Sequence, residues 1–344
     1  MTKWMLRLVL SALWMSAAWA ADGDLRLASL GDFKLENGSA IRDCRIGYRT
    51  LGTLNGDRSN AVLFPTWFTG TSEQLKENAG PGKLVDTSRY YVILVDALAN
   101  GVSSSPSNSK AQPRMRFPQV TIRDMVRSQY RLATEVLKLP KLRAVLGISM
   151  GGMQTFQWMV SYPDFVERAV PIVGSPKLTV YDLLLWRAEL EATQADPAWR
   201  KGEYRQQPAA AARAATYLQG LALETPDYRV RQTPPDGVDA YFAELLKGTL
   251  KFDANDRIRQ LEAMLGQDVS KAFDGRMEKA AQAVRARVLV LVDLHDHMVN
   301  PNPALEFARL LKARTVELES DCGHLAPGCE QSKVDAAVAR FLAE

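Results

Sequence analysis

Short, uninterrupted apolar runs, separated by stretches with helical periodicity, constrain this chain more than any other feature. The runs are residues 61–65, 90–95, 144–148, 169–173 and 288–292. A strand apolar at every position is buried on both faces, as in a mostly parallel sheet covered by helices on each side. Candidate helices at 122–138 and 153–162 supply crossovers, 315–318 reads as a last strand, and 332–342 as a C-terminal amphipathic helix. Residues 41–51 alternate apolar and polar positions, the pattern of an edge or antiparallel strand. The expected fold class is α/β, with a doubly wound, mostly parallel sheet.

Residues 177–285 break this rhythm. They are rich in Ala, Gln, Glu and Arg, have helical periodicity at 182–195, 209–224, 238–247 and 256–265, and contain no convincing central strand. The segment reads as a helical insertion between two strands. The expected organisation is a first part of the core at 21–176, the insertion at 177–285 and a second part of the core at 286–344. With 344 residues, 47% hydrophobic and 24% charged, the chain has ample material for a core, and disorder and coiled coil are excluded.

The first 20 residues differ from the rest. Lys3 and Arg7 are followed by an uncharged, mostly apolar run from 8 to 20, which ends in the small-x-small triplet Ala18-Trp19-Ala20. That is the pattern of a secretory signal peptide at 1–20, with cleavage before Ala21. An uncleaved anchor is the alternative, but the run is shorter than the ~20 residues a spanning helix needs. The expected location is periplasmic or secreted, with no stable membrane insertion after cleavage. The formal charge is +4, and half of that excess lies in Lys3 and Arg7. No Lys/Arg run or basic–aromatic stripe is present, so nucleic acid is excluded as a partner.

An oxidising compartment gives the cysteines meaning. There are three, Cys44, Cys322 and Cys329. Cys322 and Cys329 bracket a short loop and can pair, which would hold what lies between them; two free thiols are the alternative. Cys44 is left as a small buried apolar residue.

The strongest chemical signal is Gly147-Ile148-Ser149-Met150-Gly151-Gly152, between a strand-type run and a helix. This is G-x-S-x-G in strand–turn–helix context, which lifts a serine hydroxyl out of a sharp turn at the top of a sheet. Ser149 is the candidate nucleophile. The Met150 N–H, at the start of the helix, is a candidate donor to a developing oxyanion. Serine needs a base. Of the three histidines, His324 lies after the last strand, where this arrangement puts its base. His295 and His297 come directly after the run at 288–292 and more plausibly flank the acid. Asp296 and Asp293 are both candidates for that acid; Asp296 is favoured because it reaches further over the sheet. The second oxyanion donor is expected in the loop after 61–65, from the N–H of Phe68 or, second, of Trp67. The histidine spacing fits no metal set, and no phosphate loop is present, so neither metal nor cofactor is expected.

The segments IGYRTLGTLN (46–55), FTGTSE (68–73), GPGKLVDTSRYYVI (80–93), VTIRDMVRSQYRL (120–132), GISMGGMQTFQW (147–158) and ADPAWRKGEY (195–204) resemble the homoserine O-acetyltransferase branch of the α/β-hydrolase superfamily. The resemblance implies an α/β-hydrolase fold with a helical lid, a Ser149–Asp296–His324 triad, Phe68 and Met150 as oxyanion donors, and a homodimer formed through the lid. The sequence departs from the acetyltransferases before ADPAW, where Leu190-Glu-Ala-Thr-Gln194 replaces an Arg-Gln-Ala-Ile-like run, with Arg187 nearby. It also carries Thr66-Trp-Phe-Thr-Gly70 in place of His-Ala-Leu-Thr-Gly. An exported protein does not meet cytosolic acetyl-CoA. The reading is therefore an exported serine esterase acting on a small-molecule ester. An O-acyltransferase using acetyl-CoA or another acyl donor as co-substrate is the alternative. Trp186, Trp199, Tyr204, Tyr217 and Tyr241 either line a pocket or form the core of the lid.

Overall fold

A computed structural model describes residues 22–344; the leader at 1–20 lies outside the described residues. Eight strands form one sheet: β1 Arg26–Lys34, β2 Ala40–Leu51, β3 Ala61–Pro65, β4 Tyr91–Val95, β5 Ala144–Ile148, β6 Arg168–Ile172, β7 Arg287–Asp293 and β8 Arg314–Leu318. Their spatial order is β1-β2-β4-β3-β5-β6-β7-β8. β1 and β2 are antiparallel and β2 meets β4 antiparallel, while the remaining pairs from β4 to β8 are parallel. The reversal of order between β3 and β4 leaves a crevice at the carboxyl ends of β3 and β5, where such sheets place their ligands.

The apolar runs behave as double-sided strands. In β3, Ala61 and Leu63 enter one core cluster while Val62 and Phe64 enter the cluster on the opposite face. β1 has no such run and escapes the sequence reading. Its alternation is broken by register shifts on either side of Gly31, which has φ 63°.

The longer helices are α1 Ile122–Arg131, α2 Met150–Ser161, α3 Val180–Ala195, α4 Ala209–Leu223, α5 Pro226–Gln232, α6 Val238–Leu245, α7 Ala254–Leu265, α8 Met277–Ala283, α9 Asn302–Leu311 and α10 Gln331–Ala343. The helix read at 122–138 stops at Arg131 and continues as a π-turn over Leu132–Val136. Between β6 and β7 the described chain contributes helices and no strand. That segment divides by packing. Val269, Ala280 and Ala281, in its last part, join Phe156, Val290 and Phe307 in the layer beneath the sheet. Helices α3, α4 and α7 instead lie together over the crevice, tied by a buried ion pair of 2.6 Å between Glu189 and Arg257. Gln219 completes the knot by donating to Glu189 at 3.1 Å.

Among the described residues no helix is long and apolar enough to cross a membrane. Cys44 is fully buried in the main core cluster, and burial pushes its thiol up to about 12, so it stays a neutral packing group.

Candidate active site

Ser149 sits between β5 and α2 with φ 58° and ψ −120°, outside the regions an ordinary residue occupies. Strain of this kind costs on the order of 1–3 kcal/mol and persists only where surroundings enforce it. The surroundings here are glycines. A Cβ on Gly147 would lie 2.3 Å from the Gly151 carbonyl oxygen, and one on Gly151 would lie 2.7 Å from that of Pro65. One on Gly152 would lie 2.9 Å from the Ile172 carbonyl oxygen. Strand, turn and helix therefore approach at backbone distance. The Ser149 N–H donates to Ile172 at 2.9 Å, which pins the turn to β6. The Ser149 side chain does not cap its own helix. Its Oγ lies instead 2.8 Å from His324 Nε2.

His324 occupies a one-turn 3-10 helix, Gly323–Leu325, beyond β8. Its Nδ1 lies 2.7 Å from Asp296 Oδ2. The other Asp296 oxygen accepts the N–H groups of Met298 at 2.8 Å and Val299 at 2.9 Å. The structure thus places Ser149, His324 and Asp296 in one hydrogen-bonded line. Asp293 does not join it: its oxygens accept from the N–H groups of His295 and Ser320, both at 2.9 Å, and it ties the ends of β7 and β8 together. His295 and His297 face a separate polar depression with Glu319 and Asp321. Burial raises the carboxyls of Asp293 and Asp182 above the usual range, and the charge of Asp296 adds to both shifts. Asp182 has a second task. It caps the start of α3 and accepts the Asn300 N–H at 2.9 Å, joining the insertion to the loop that carries Asp296.

The loop after β3 is held by side chains that sequence reasoning did not single out. Gln154 donates to the Thr66 carbonyl at 3.0 Å, and Gln129 and Trp158 extend that buried network. Gln260 accepts the Thr69 N–H at 2.8 Å, and Asn100 donates to the Gly70 carbonyl at 3.0 Å. Gln154, within the apolar helix Met150–Ser161, was the available signal, since buried polar groups are retained when they are paired. Among the described residues no group takes the Phe68 N–H. Met150 lies in the first turn of α2, where N–H groups have no intrahelical partner. Phe68 lines the same cavity as Ser149, and Met150 follows that serine directly in the chain.

Ser149 and His324 open into a cavity of about 560 Å3. Its wall is largely apolar and includes Trp67, Phe68, Leu84, Ile148, Trp186, Leu223 and Met298. Among the described residues, His324 is the only titratable side chain lining it. Of the five aromatic residues considered for a pocket, Trp186 alone reaches this wall, packing edge-on against Phe68 with ring centroids 5.7 Å apart. Trp199 and Tyr204 pack on Ile258 in the core of the insertion, while Tyr217 and Tyr241 pack on Phe242 at its exposed surface. No cluster of described residues could hold a metal ion.

A strained serine at a strand–helix turn, with its imidazole and carboxylate partners on later loops of the same sheet, defines the α/β-hydrolase class. The family model for the alpha/beta hydrolase fold matches residues 62–327, and the chain belongs to that family. The chain is 33% identical over 322 residues to the ethyl acetate hydrolase of Pseudomonas veronii, covering 88% of this chain and 90% of that protein. It is 31% identical over 349 residues to the homoserine O-acetyltransferase of Geotalea daltonii, covering 90% and 95%. The solved structure of the acetyl esterase MekB superposes with a TM-score of 0.88 at 30% identity, covering 94% of this chain and 98% of that one. The protein is an enzyme of the acyl hydrolase and acyltransferase type.

Proposed function

We propose that this enzyme is an exported serine esterase for small, uncharged esters, with Ser149 as nucleophile, His324 as base and Asp296 as acid. The carrying observation is the cavity around Ser149, whose described lining offers no carboxylate, ammonium or guanidinium to a substrate. A buried apolar wall favours a neutral acyl group and a neutral alcohol. A zwitterionic amino-acid acceptor would leave its charges desolvated and unpaired there.

His324 Nε2 takes the proton of Ser149 Oγ as the oxygen attacks the ester carbonyl. The N–H groups of Phe68 and Met150 receive the oxyanion. Asp296 holds the imidazole in the tautomer that accepts at Nε2, and stabilises the cation that forms. His324 returns the proton to the departing alcohol. A water activated by the same nitrogen then releases the acid from Ser149. No cofactor is needed. Export is supported by the basic-then-apolar leader and by a disulfide between Cys322 and Cys329.

The test compares purified enzyme with Ser149→Ala on ethyl acetate and short-chain p-nitrophenyl esters, with and without homoserine and acetyl-CoA. Loss of the serine is expected to lower kcat by on the order of 10^3–10^6-fold. Free acid is the expected product, and acyl-homoserine forming faster than acid would overturn the esterase reading in favour of transfer. Mass spectrometry of enzyme from the culture medium or periplasm is expected to show Ala21 at the N-terminus.

A further inference from the structure

Two members of the catalytic line are fixed by the backbone of the sheet and its loops. Ser149 donates its N–H to β6, and Asp296 accepts two N–H groups of its own turn. The third is not. His324 lies beyond the edge strand β8, and the backbone hydrogen bonds of its arm are local. Gly323 donates to Ser320 at 3.2 Å, Leu325 to Cys322 at 3.1 Å and Glu330 to Ala326 at 2.9 Å. The nearest hydrogen bonds from the backbone of the arm to the rest of the molecule precede the histidine, while after it Ala326 packs into the core cluster on one face of the sheet. Ser320 reaches Asp293 at 2.9 Å, and the Asp321 carbonyl accepts from the Thr225 N–H at 3.1 Å. Directly before His324 stands Gly323, at φ 59°, a glycine that packs against the backbone of Leu223 and Glu224 without a side chain to lock its rotation.

One covalent tie spans this arm. Cys322 and Cys329, 7 residues apart, are joined in a disulfide whose loop contains His324. The same loop builds the substrate cavity, since Leu325, Pro327, Gly328 and Cys329 line it beside Ser149. Cys322 is buried and Cys329 is exposed. A loop this short gains least from the chain-entropy effect of a crosslink, so global stability is a poor account of its value.

We propose that the Cys322–Cys329 disulfide is a positioning device for the His324 imidazole and a wall of the acyl site, so that activity is reversibly lost to a dithiol. The inference rests on the serine-esterase reading above. A thiolate of the dithiol attacks the exposed Cys329 sulfur, forming a mixed disulfide and releasing Cys322 as thiolate. The second thiol of the reagent then displaces Cys329. The protein gains two thiols and the reagent is oxidised to its own disulfide. With the tie cut, rotation at Gly323 takes Nε2 out of reach of Ser149, because placement errors of about 1 Å in catalytic groups cost on the order of 10^2-fold.

The experiment measures kcat and KM on a short-chain p-nitrophenyl ester after a dithiothreitol treatment and removal of the reagent by gel filtration. Untreated enzyme, Cys322→Ser/Cys329→Ser and Cys44→Ser are run beside it, with far-UV circular dichroism, Tm and the rate of fluorophosphonate labelling of Ser149. Reduced enzyme and the double variant are expected to lose roughly tenfold or more in kcat and labelling rate while still folded at the assay temperature. Reoxidation is expected to restore the wild type, while the double variant stays low and ignores dithiothreitol. A double variant, or reduced enzyme, that keeps kcat within about twofold while only Tm falls would overturn the proposal, because that is a merely structural crosslink. Ser149→Ala and His324→Ala separate the two levels. If both remain active, the esterase reading itself fails; if both are inactive and the cysteine variant is not, only this inference fails.

Discussion

At the elbow, residues 147–152, three glycines bring strand and helix to backbone contact, and a Cβ on Gly147 would lie 2.3 Å from the Gly151 carbonyl oxygen. At the arm that carries His324, residues 322–329, the approach is looser: a Cβ on Gly323 would lie 3.2 Å from the Leu223 carbonyl oxygen, Gly328 has nothing within 4 Å of where its Cβ would be, and a disulfide closes the loop. The insertion reinforces the second pattern. Thr225 holds Asp321, Asp182 holds Asn300, and Gln260 holds Thr69, so helices over the crevice grip each loop that serves Ser149. One half of the site is therefore built into the sheet, and the other is assembled against it by groups that can titrate, be reduced or move. The Arg257 guanidinium, 5.5 Å from the Phe68 ring centroid, adds to that grip on the loop after β3.

The sharpest way to break this contrast lies in the two aspartates after β7. Asp296→Asn is expected to lower kcat by on the order of 10^4-fold, because the imidazole loses the partner that selects its tautomer. Asp293→Asn leaves that line intact and removes a charged acceptor from two N–H groups. It is expected to cost about 1–3 kcal/mol of stability and less than about tenfold in kcat. Steady-state kinetics with urea unfolding checks both; the reverse ranking would mean that the assembled half has been assigned to the wrong carboxylate.

A second comparison pits glycine against glycine. Gly147→Ala forces backbone apart and is expected to cost about 4 kcal/mol or more, read as lost soluble yield and a lower Tm. Gly328→Ala enters open space within the short helix Ala326–Cys329 and is expected to stay within about 0.5 kcal/mol of wild type. Equal costs would erase the distinction between a backbone-built and a side-chain-built half.

The smallest effect concerns pH. Asp256, on α7, accepts the Ser107 N–H at 2.9 Å and lies 2.5 Å from the Ser107 Oγ, tying the insertion to a core loop. Burial, with the nearby charge of Asp253, pushes its carboxyl up to about 8. A carboxyl raised on folding binds a proton that the unfolded chain has released. Its contribution is complete below the unfolded value near 4 and is lost as pH rises through about 8. Tm measured between pH 5 and pH 8 is therefore expected to fall more steeply for wild type than for Asp256→Asn. Parallel curves would show that this seat does not titrate.

Much of this was legible in order of chain. The strands at 61–65 and 144–148 appear where the uninterrupted apolar runs stand, and the elbow appears where small residues flank a serine between strand and helix. These features are local: a run of five apolar residues or a glycine two places from a serine carries its reason within a few positions. β1 was not legible, because a bulge at Gly31 breaks the alternation by which an edge strand is read.

The sequence by itself determined that Ser149 stands on a turn, that His324 follows the last strand, and that Asp293 and Asp296 compete for one role. Only the tertiary structure shows which of those carboxylates meets His324. The two differ by three positions, and which one meets an imidazole 28 residues later depends on how two loops fold over the sheet ends. It alone chose Trp186 among five aromatic residues for the cavity wall, and found the glutamines that hold the loop after β3. Side chains far apart in the chain share a hydrogen bond or a wall only after the sheet has set their distances, and no local pattern encodes that.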